Sequence, residues 1–257
     1  MNITVENVEF YLLILVRLSA FLFVAPIFSI KSIPMKVKAA ISVFLTMIVA
    51  SIIPTEALTY TTVYGLASLI IKEALVGILI GFMASICTQI VSFSGMLLDM
   101  ELGFSMANEF DPINQTHVTV TGNLLTYFVM LTLLVTDLHY YLIKAIVATF
   151  KLIPVGKAVF SFDLYKVMTK FMIDFFVIGF RIILPVFAAI LIVNTVLGIL
   201  AKVSPQLNMF VVGFQLKIFV GLLVLLVLTK MLPGITAYIV TEMKDMMEYM
   251  IKSLSGS

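Results

Sequence analysis

Residues 171–201 read FMIDFFVIGFRIILPVFAAILIVNTVLGILA, and this stretch decides the fold. Leu, Ile, Val, Phe, Met and Ala fill it, and its length favours a helix over a strand. Only Asp174 and Arg181 carry charge. An ionisable side chain at the centre of a lone membrane helix costs roughly 2.5–3.5 kcal/mol. The two are i, i+7, about 10 Å apart along a helix, too far to pair directly. Their partners are therefore expected on other helices, or on other subunits. Pro185 predicts a kink or break.

Five similar stretches surround it, at about 10–30, 39–53, 65–98, 124–150 and 209–232. Alternating ten-residue segments, the mark of an outer-membrane barrel, are absent. The 39–53 stretch is short for a span, and 65–98 is long enough to suggest two short helices or a bent hairpin. Pro26 and Pro205 predict further kinks or breaks, and Pro233-Gly234 an end to the last stretch. The fold expected is all-α and polytopic, in one domain. Basic loops favour the cytoplasm. The loops with Lys31, Lys36 and Lys38, and with Lys151, Lys157, Lys166 and Lys170, share a side only if 65–98 crosses twice or is re-entrant. That arrangement leaves the N-terminus outside and the C-terminus inside. Glu6 and Glu9 before the first stretch, Arg17 within it and no A-x-A-like site argue for a retained helix rather than a cleaved signal.

Composition agrees. The chain is 62% hydrophobic and 12% charged, with mean hydropathy +1.18. A soluble domain carries about 25% charged residues, so the fitting solvent is lipid or an apolar assembly. A net charge of +2, with Arg17 and Arg181 the only arginines, excludes a nucleic-acid footprint. The single cysteine, Cys87, excludes an intrachain disulfide and a thiolate cluster, and reads as a small core residue. No H-E-x-x-H, G-x-S-G, Walker A loop or G-x-G-x-x-G occurs. His117 and His139 lack metal-ligand spacing, and Asp99, Glu101, Glu109 and Asp111 read as an acidic loop whose pattern is too loose for a calcium site. No catalytic residue, cofactor or metal site is expected.

The charges inside apolar stretches are Arg17, Lys72, Glu73, Asp137, Asp174, Arg181 and Lys217, four basic against three acidic, so near-neutral pairing is possible. A proton or ion relay is the alternative, and Lys217 can snorkel. Ala74, Gly77, Gly81 and Ala84 form a small-residue stripe containing a G-x-x-x-G. It serves either a subunit contact or packing within the chain. Met243, Met246, Met247 and Met250 line one face of an amphipathic helix, either docking a partner or lying on the chain itself.

Two groups of residues carry a family resemblance. The first is Gly95-Met-Leu-Leu-Asp99, Gly103-Phe-Ser-Met-Ala107 and Asp111-Pro112. The second runs from Arg181-Ile-Ile-Leu-Pro185 through Val193-Asn194 and Leu197-Gly198. It continues with Ala201-Lys202-Val-Ser-Pro205-Gln206-Leu-Asn208 and Gly213-Phe214-Gln-Leu-Lys217. Together they resemble the FliR family of flagellar export-gate proteins, called SctT in virulence-type secretion. Arg17 and Pro26 sit where that family's pattern puts them. The resemblance implies a structural subunit of a hetero-oligomeric gate in the bacterial inner membrane, at the flagellar basal body, through which unfolded substrates pass. It implies FliP-like and FliQ-like partner subunits, completed by FlhB-like and FlhA-like proteins. It further implies a FliP-like part over about 1–120 and a FliQ-like part over about 121–257. Residues 103–122 become the expected pore plug, through Phe104, Met106, Phe110, Asp111 and Pro112. Assembly contacts are expected from Arg17, Gly77, Gly81, Asp174, Arg181, Lys202, Pro205, Gln206, Asn208 and Lys217. A virulence-type gate subunit, or a stand-alone transporter or channel, is the alternative. The transporter's sign, paired broken helices in two halves, is not found.

Overall fold

The computed structural model describes residues 5–29, 33–54, 58, 60, 62–104, 110–111, 116–117, 119–206 and 208–256. Seven helices make up nearly all of them: α1 (Val5–Val24), α2 (Met35–Ile52), α3 (Val63–Leu102), α4 (Val120–Val135), α5 (Leu138–Leu152), α6 (Asp163–Val203) and α7 (Met209–Ser255). The two-residue strands β1 (Phe110–Asp111) and β2 (Thr116–His117) pair antiparallel, Phe110 opposite His117. Among the described residues, five helices are long and apolar enough to cross a membrane. The pair α4–α5, bent at its break, makes a sixth when taken together. The six apolar stretches read from the sequence therefore correspond to six candidate spans.

Two helices show what solvent the chain expects. α1 buries Phe10, Leu13, Ile14, Arg17, Leu18 and Phe21 at i, i+3, i+4, i+7, i+8 and i+11, a helical stripe facing inward. α2, which packs on α1, does the reverse. Its buried residues are Lys38, Ser42, Thr46 and Val49, while Met35, Phe44 and Met47 are about two-thirds exposed. The buried hydroxyls are satisfied along their own helix: Ser42 Oγ donates to the Lys38 carbonyl and Thr46 Oγ1 to that of Ser42. A helix with polar groups inward and large apolar groups outward is stable only where its outer face meets lipid or other protein.

Neither two short helices nor a bent hairpin forms over 65–98; α3 is one helix of 40 residues. It contains no proline, and its glycines are places of close packing rather than breaks. It ends where Gly103 takes φ +81, a left-handed C-terminal residue. Nor do Pro185 and Pro233 interrupt α6 and α7. Each removes one backbone bond, whereas unwinding in an apolar medium strands several. Pro26 and Pro205 do lie at helix ends, in the turn after α1 and in the turn joining α6 to α7. The break between α4 and α5 falls at Asp137, whose φ of 55° cannot continue a helix.

The chain divides into two compact units. One comprises Met1–Ile86, Leu133–Met172 and Thr241–Ser257, the other Cys87–Thr132 and Ile173–Val240. This division follows a different line from one near residue 120. In the first unit Met243, Met246, Met247 and Met250 are all buried, so the methionine face is covered by the chain itself.

Candidate functional site

The first unit is organised around one cation. Arg17, on α1, is wholly buried, as is Glu73 on α3. The guanidinium meets the carboxylate as a fork: Nε donates to Oε2 at 2.5 Å and Nη2 to Oε1 at 3.0 Å. Nη1 donates to the Ile153 carbonyl at 2.9 Å and, more weakly, to Thr149 Oγ1 at 3.4 Å. The Phe150 ring lies 4.3 Å from the guanidinium carbon, a cation–π contact. Ile153 caps the C-terminus of α5, where unpaired carbonyls favour a cation. Glu73 Oε1 also accepts from the Gly156 N–H at 2.7 Å. Gly156 has φ +80, and the turn delivering that N–H needs a residue without Cβ. One ion pair thus ties α1, α3, α5 and the following turn, with its polar atoms satisfied, the condition under which a buried pair is tolerated.

The stripe on α3 places the pair. A Cβ on Gly77 would lie 2.3 Å from the Arg17 carbonyl oxygen, and one on Gly81 3.0 Å from that of Phe21. As candidate subunit contacts Arg17, Gly77 and Gly81 are therefore corrected: close approach of α1 to α3 within the chain occupies them. Small residues at 77 and 81 let α1 and α3 come near enough for the fork to form.

In the second unit the family-like residues Gly95 and Asp99 acquire a joint purpose. A Cβ on Gly95 would lie 2.1 Å from the Gly122 Cα, so α3 and α4 touch backbone to backbone. One turn further on, buried Asp99 accepts from the Thr121 N–H at 3.1 and 3.3 Å through its two carboxylate oxygens. It caps the N-terminus of α4, the positive end of that helix. Asp99 and Glu101 belong to α3, not to an acidic loop. Glu109 lies outside the described residues.

The loop read as a plug leaves α3 at Gly103. A Cβ there would lie 3.2 Å from the Phe214 ring, and Leu102 packs against Gly221, so α7 holds the loop's root. The two family-like groups of residues meet here. Phe104 is half-buried in the helical turn that follows. Phe110 and Asp111 form β1, while Met106 and Pro112 lie outside the described residues.

Asp174 and Arg181 do not pair. The Asp174 Oδ2 is buried without a hydrogen-bond partner, and exposed Arg181 donates to the Tyr238 hydroxyl at 3.4 Å. Lys202, Pro205, Gln206 and Asn208 are exposed at and beside the α6–α7 turn, and Lys217 is half-buried on α7. Sequence reasoning gave no role to Asp99 and did not single out Thr121, Thr149 or Tyr238. For Asp99 a signal existed: a glycine one helical turn before a carboxylate marks close approach followed by a cap. Among the described residues no three His, Cys, Asp or Glu side chains come together as a metal site.

Comparison with known proteins places the chain in a family. The family described as bacterial export proteins, family 1, matches residues 8–243. The flagellar biosynthetic protein FliR of Bacillus subtilis (strain 168) is 33% identical over 231 residues, covering 88% of this chain and 88% of that protein. FliR of Escherichia coli (strain K12) is 27% identical, covering 93% and 92%, and FliR of Pectobacterium carotovorum is 27% identical, covering 94% and 92%. With nearly its whole length matched, this apolar helical chain belongs to the FliR family of bacterial export proteins.

Proposed function

We propose that this chain is a structural subunit of the flagellar protein export gate, forming part of the pore for unfolded flagellar substrates in the bacterial inner membrane. FliP-like and FliQ-like chains are its assembly partners, with FlhB-like and FlhA-like proteins completing the gate. Within this reading about 1–120 corresponds to a FliP-like part and about 121–257 to a FliQ-like part. Its role is structural rather than catalytic.

The observation that carries the proposal is the length of exposed apolar surface on α6. Large apolar side chains are exposed from Ile173 to Val203, about 45 Å of helical rise. A hydrocarbon core is about 30 Å thick. Fitting one into the other needs a tilt near 48°, beyond the usual 0–40°. Lipid therefore does not cover the whole stripe, and neighbouring subunits are the cover that fits. Asp174, half-exposed with an unsatisfied oxygen, and Lys202, Pro205, Gln206 and Asn208 remain contacts proposed for those subunits, with Arg181 and Lys217.

Cells lacking the chain should synthesise flagellar subunits normally and secrete none, and restoring it should restore secretion. Normal secretion without it removes the reading. Within the same proposal, Phe104, Met106 and Phe110 close the pore by bulk and dewetting, while Asp111-Pro112 stiffens the turn. Phe110→Ala should let small solutes leak through an assembled complex, and deletion across Gly103–Asp111 should leak more. Conductance of reconstituted complex measures it; two assembled variants as tight as the parent would exclude this loop as the plug.

A further inference from the structure

We propose that the groove between α6 and α7 beside Arg181 receives a carboxylate side chain, Asp or Glu, from a neighbouring subunit. The proposal rests on the export-gate reading and names the chemistry of one of its contacts. Ile178, Arg181 and Pro185 stand on the α6 side of the groove, and Lys230, Gly234 and Tyr238, at i, i+4 and i+8, on the α7 side. The cavity between them holds about 470 Å³, room for a carboxylate side chain with an apolar neighbour. A Cβ on Gly234 would meet nothing within 4 Å, so the groove is open where that residue lies.

The lining sets the charge of the occupant. Two cations and one hydroxyl interrupt an otherwise apolar wall, and no carboxylate is among the lining residues. Among the described residues neither Arg181 nor Lys230 has an acidic partner, and both are exposed. Tyr238 steadies Arg181 without neutralising it. Its hydroxyl accepts from Nη1 at 3.4 Å, and the guanidinium carbon lies 5.8 Å from the ring centre. A subunit that covers two like charges and leaves them unpaired strips their hydration with no return, so the cover that fits carries negative charge. The guanidinium fork holds both oxygens of a carboxylate, and Lys230 adds a point charge.

Asp174 favours a protein over a small anion as that cover. It stands one turn before Ile178 and two before Arg181, on the same face of α6. Its Oδ2 is buried without a hydrogen-bond partner. A free anion would satisfy Arg181, but it brings no donor to Asp174 and no apolar surface to Ile178 and Pro185. A neighbouring polypeptide carries all three complements. It has a carboxylate for Arg181 and Lys230, apolar side chains for the wall, and a donor about 10 Å further along for Asp174.

The test uses the complex purified in a neutral detergent from cells that make the chain with its FliP-like and FliQ-like partners. A water-soluble carbodiimide joins a carboxylate and an amine in contact as an amide, taking up the water that is lost. Peptide mass spectrometry should find Lys230 joined to an Asp or Glu of another chain. Lys230→Arg should keep the complex and abolish that product, since arginine keeps the charge and offers no amine to couple. Lys166 and Asp163, 2.7 Å apart within the chain, are the internal control. Arg181→Gln should speed release of the chain from the complex about thirtyfold, by leaving the partner's carboxylate covered and unpaired. Lys230 uncoupled, or coupled only within its own chain, in a complex where Lys166 does couple overturns the proposal. So does an Arg181→Gln complex that releases the chain as slowly as the parent. Absence of any complex removes the export-gate reading and the proposal with it, whereas an intact complex without the Lys230 product removes the proposal alone.

Discussion

Glu73→Ala, with Arg17 left in place, is expected to destabilise the chain by about 3–5 kcal/mol, because it leaves a fully buried guanidinium unpaired. Arg17→Ala should cost a similar amount by stranding the carboxylate. Out of about 5–15 kcal/mol of total stability, either loss is large enough to deplete the folded chain. The double change Arg17→Met with Glu73→Met should recover much of the loss, since apolar groups of similar volume need no partners. Denaturant titration in detergent, run as a double-mutant cycle, gives the coupling energy. Purely additive costs would show that the pair is not a unit. The fork also accepts an N–H and donates to a carbonyl, so the double variant should stay somewhat below the parent: the Gly156 N–H and the Ile153 carbonyl lose their partners.

Gly95→Ala should be the most damaging single methyl in the second unit. Its Cβ would meet backbone, the Gly122 Cα at 2.1 Å, and backbone cannot turn aside as a side chain can. Overpacking of this kind costs about 1–3 kcal/mol. Here it also draws Asp99 away from the Thr121 N–H, adding about 0.5–2 kcal/mol of lost capping. Asp99→Asn, which keeps the shape and one acceptor, should cost less than Gly95→Ala. Gly198→Ala is the opposite case: nothing lies within 4 Å of its Cβ, so higher helix propensity should make it neutral or slightly stabilising. Thermal unfolding of the three variants should rank Gly95→Ala lowest. A Gly95→Ala protein as stable as the parent would contradict the backbone contact between α3 and α4.

The helical, membrane-spanning class was legible because hydrophobic length carries it, and the six stretches became six candidate spans. Helix breaks were less legible. Pro185 and Pro233 read as interruptions because that is what proline does in water; in an apolar surround a continuous ladder missing one bond is the lesser cost. The long stretch at 65–98 looked divisible by length alone, but its glycines at 77, 81 and 95 are contacts made by a single helix. Charge arithmetic indicated pairing, yet sequence separation hid which residues pair: Arg17 and Glu73 are 56 positions apart. The methionine face was legible as amphipathic, and only the fold could say that the chain itself covers it. Asp99 looked like part of an acidic loop because the end of α3 was drawn too early.

The most direct measurement is recovery of the tagged chain from cells that make, or lack, FliP-like and FliQ-like chains, followed by size-exclusion chromatography in detergent. A gate subunit should elute with both partners in one species of fixed composition. In their absence it should be heterogeneous or degraded, with the exposed face of α6 uncovered. A monodisperse, thermostable chain that elutes alone in both strains would contradict the assignment and point to a protein that works by itself.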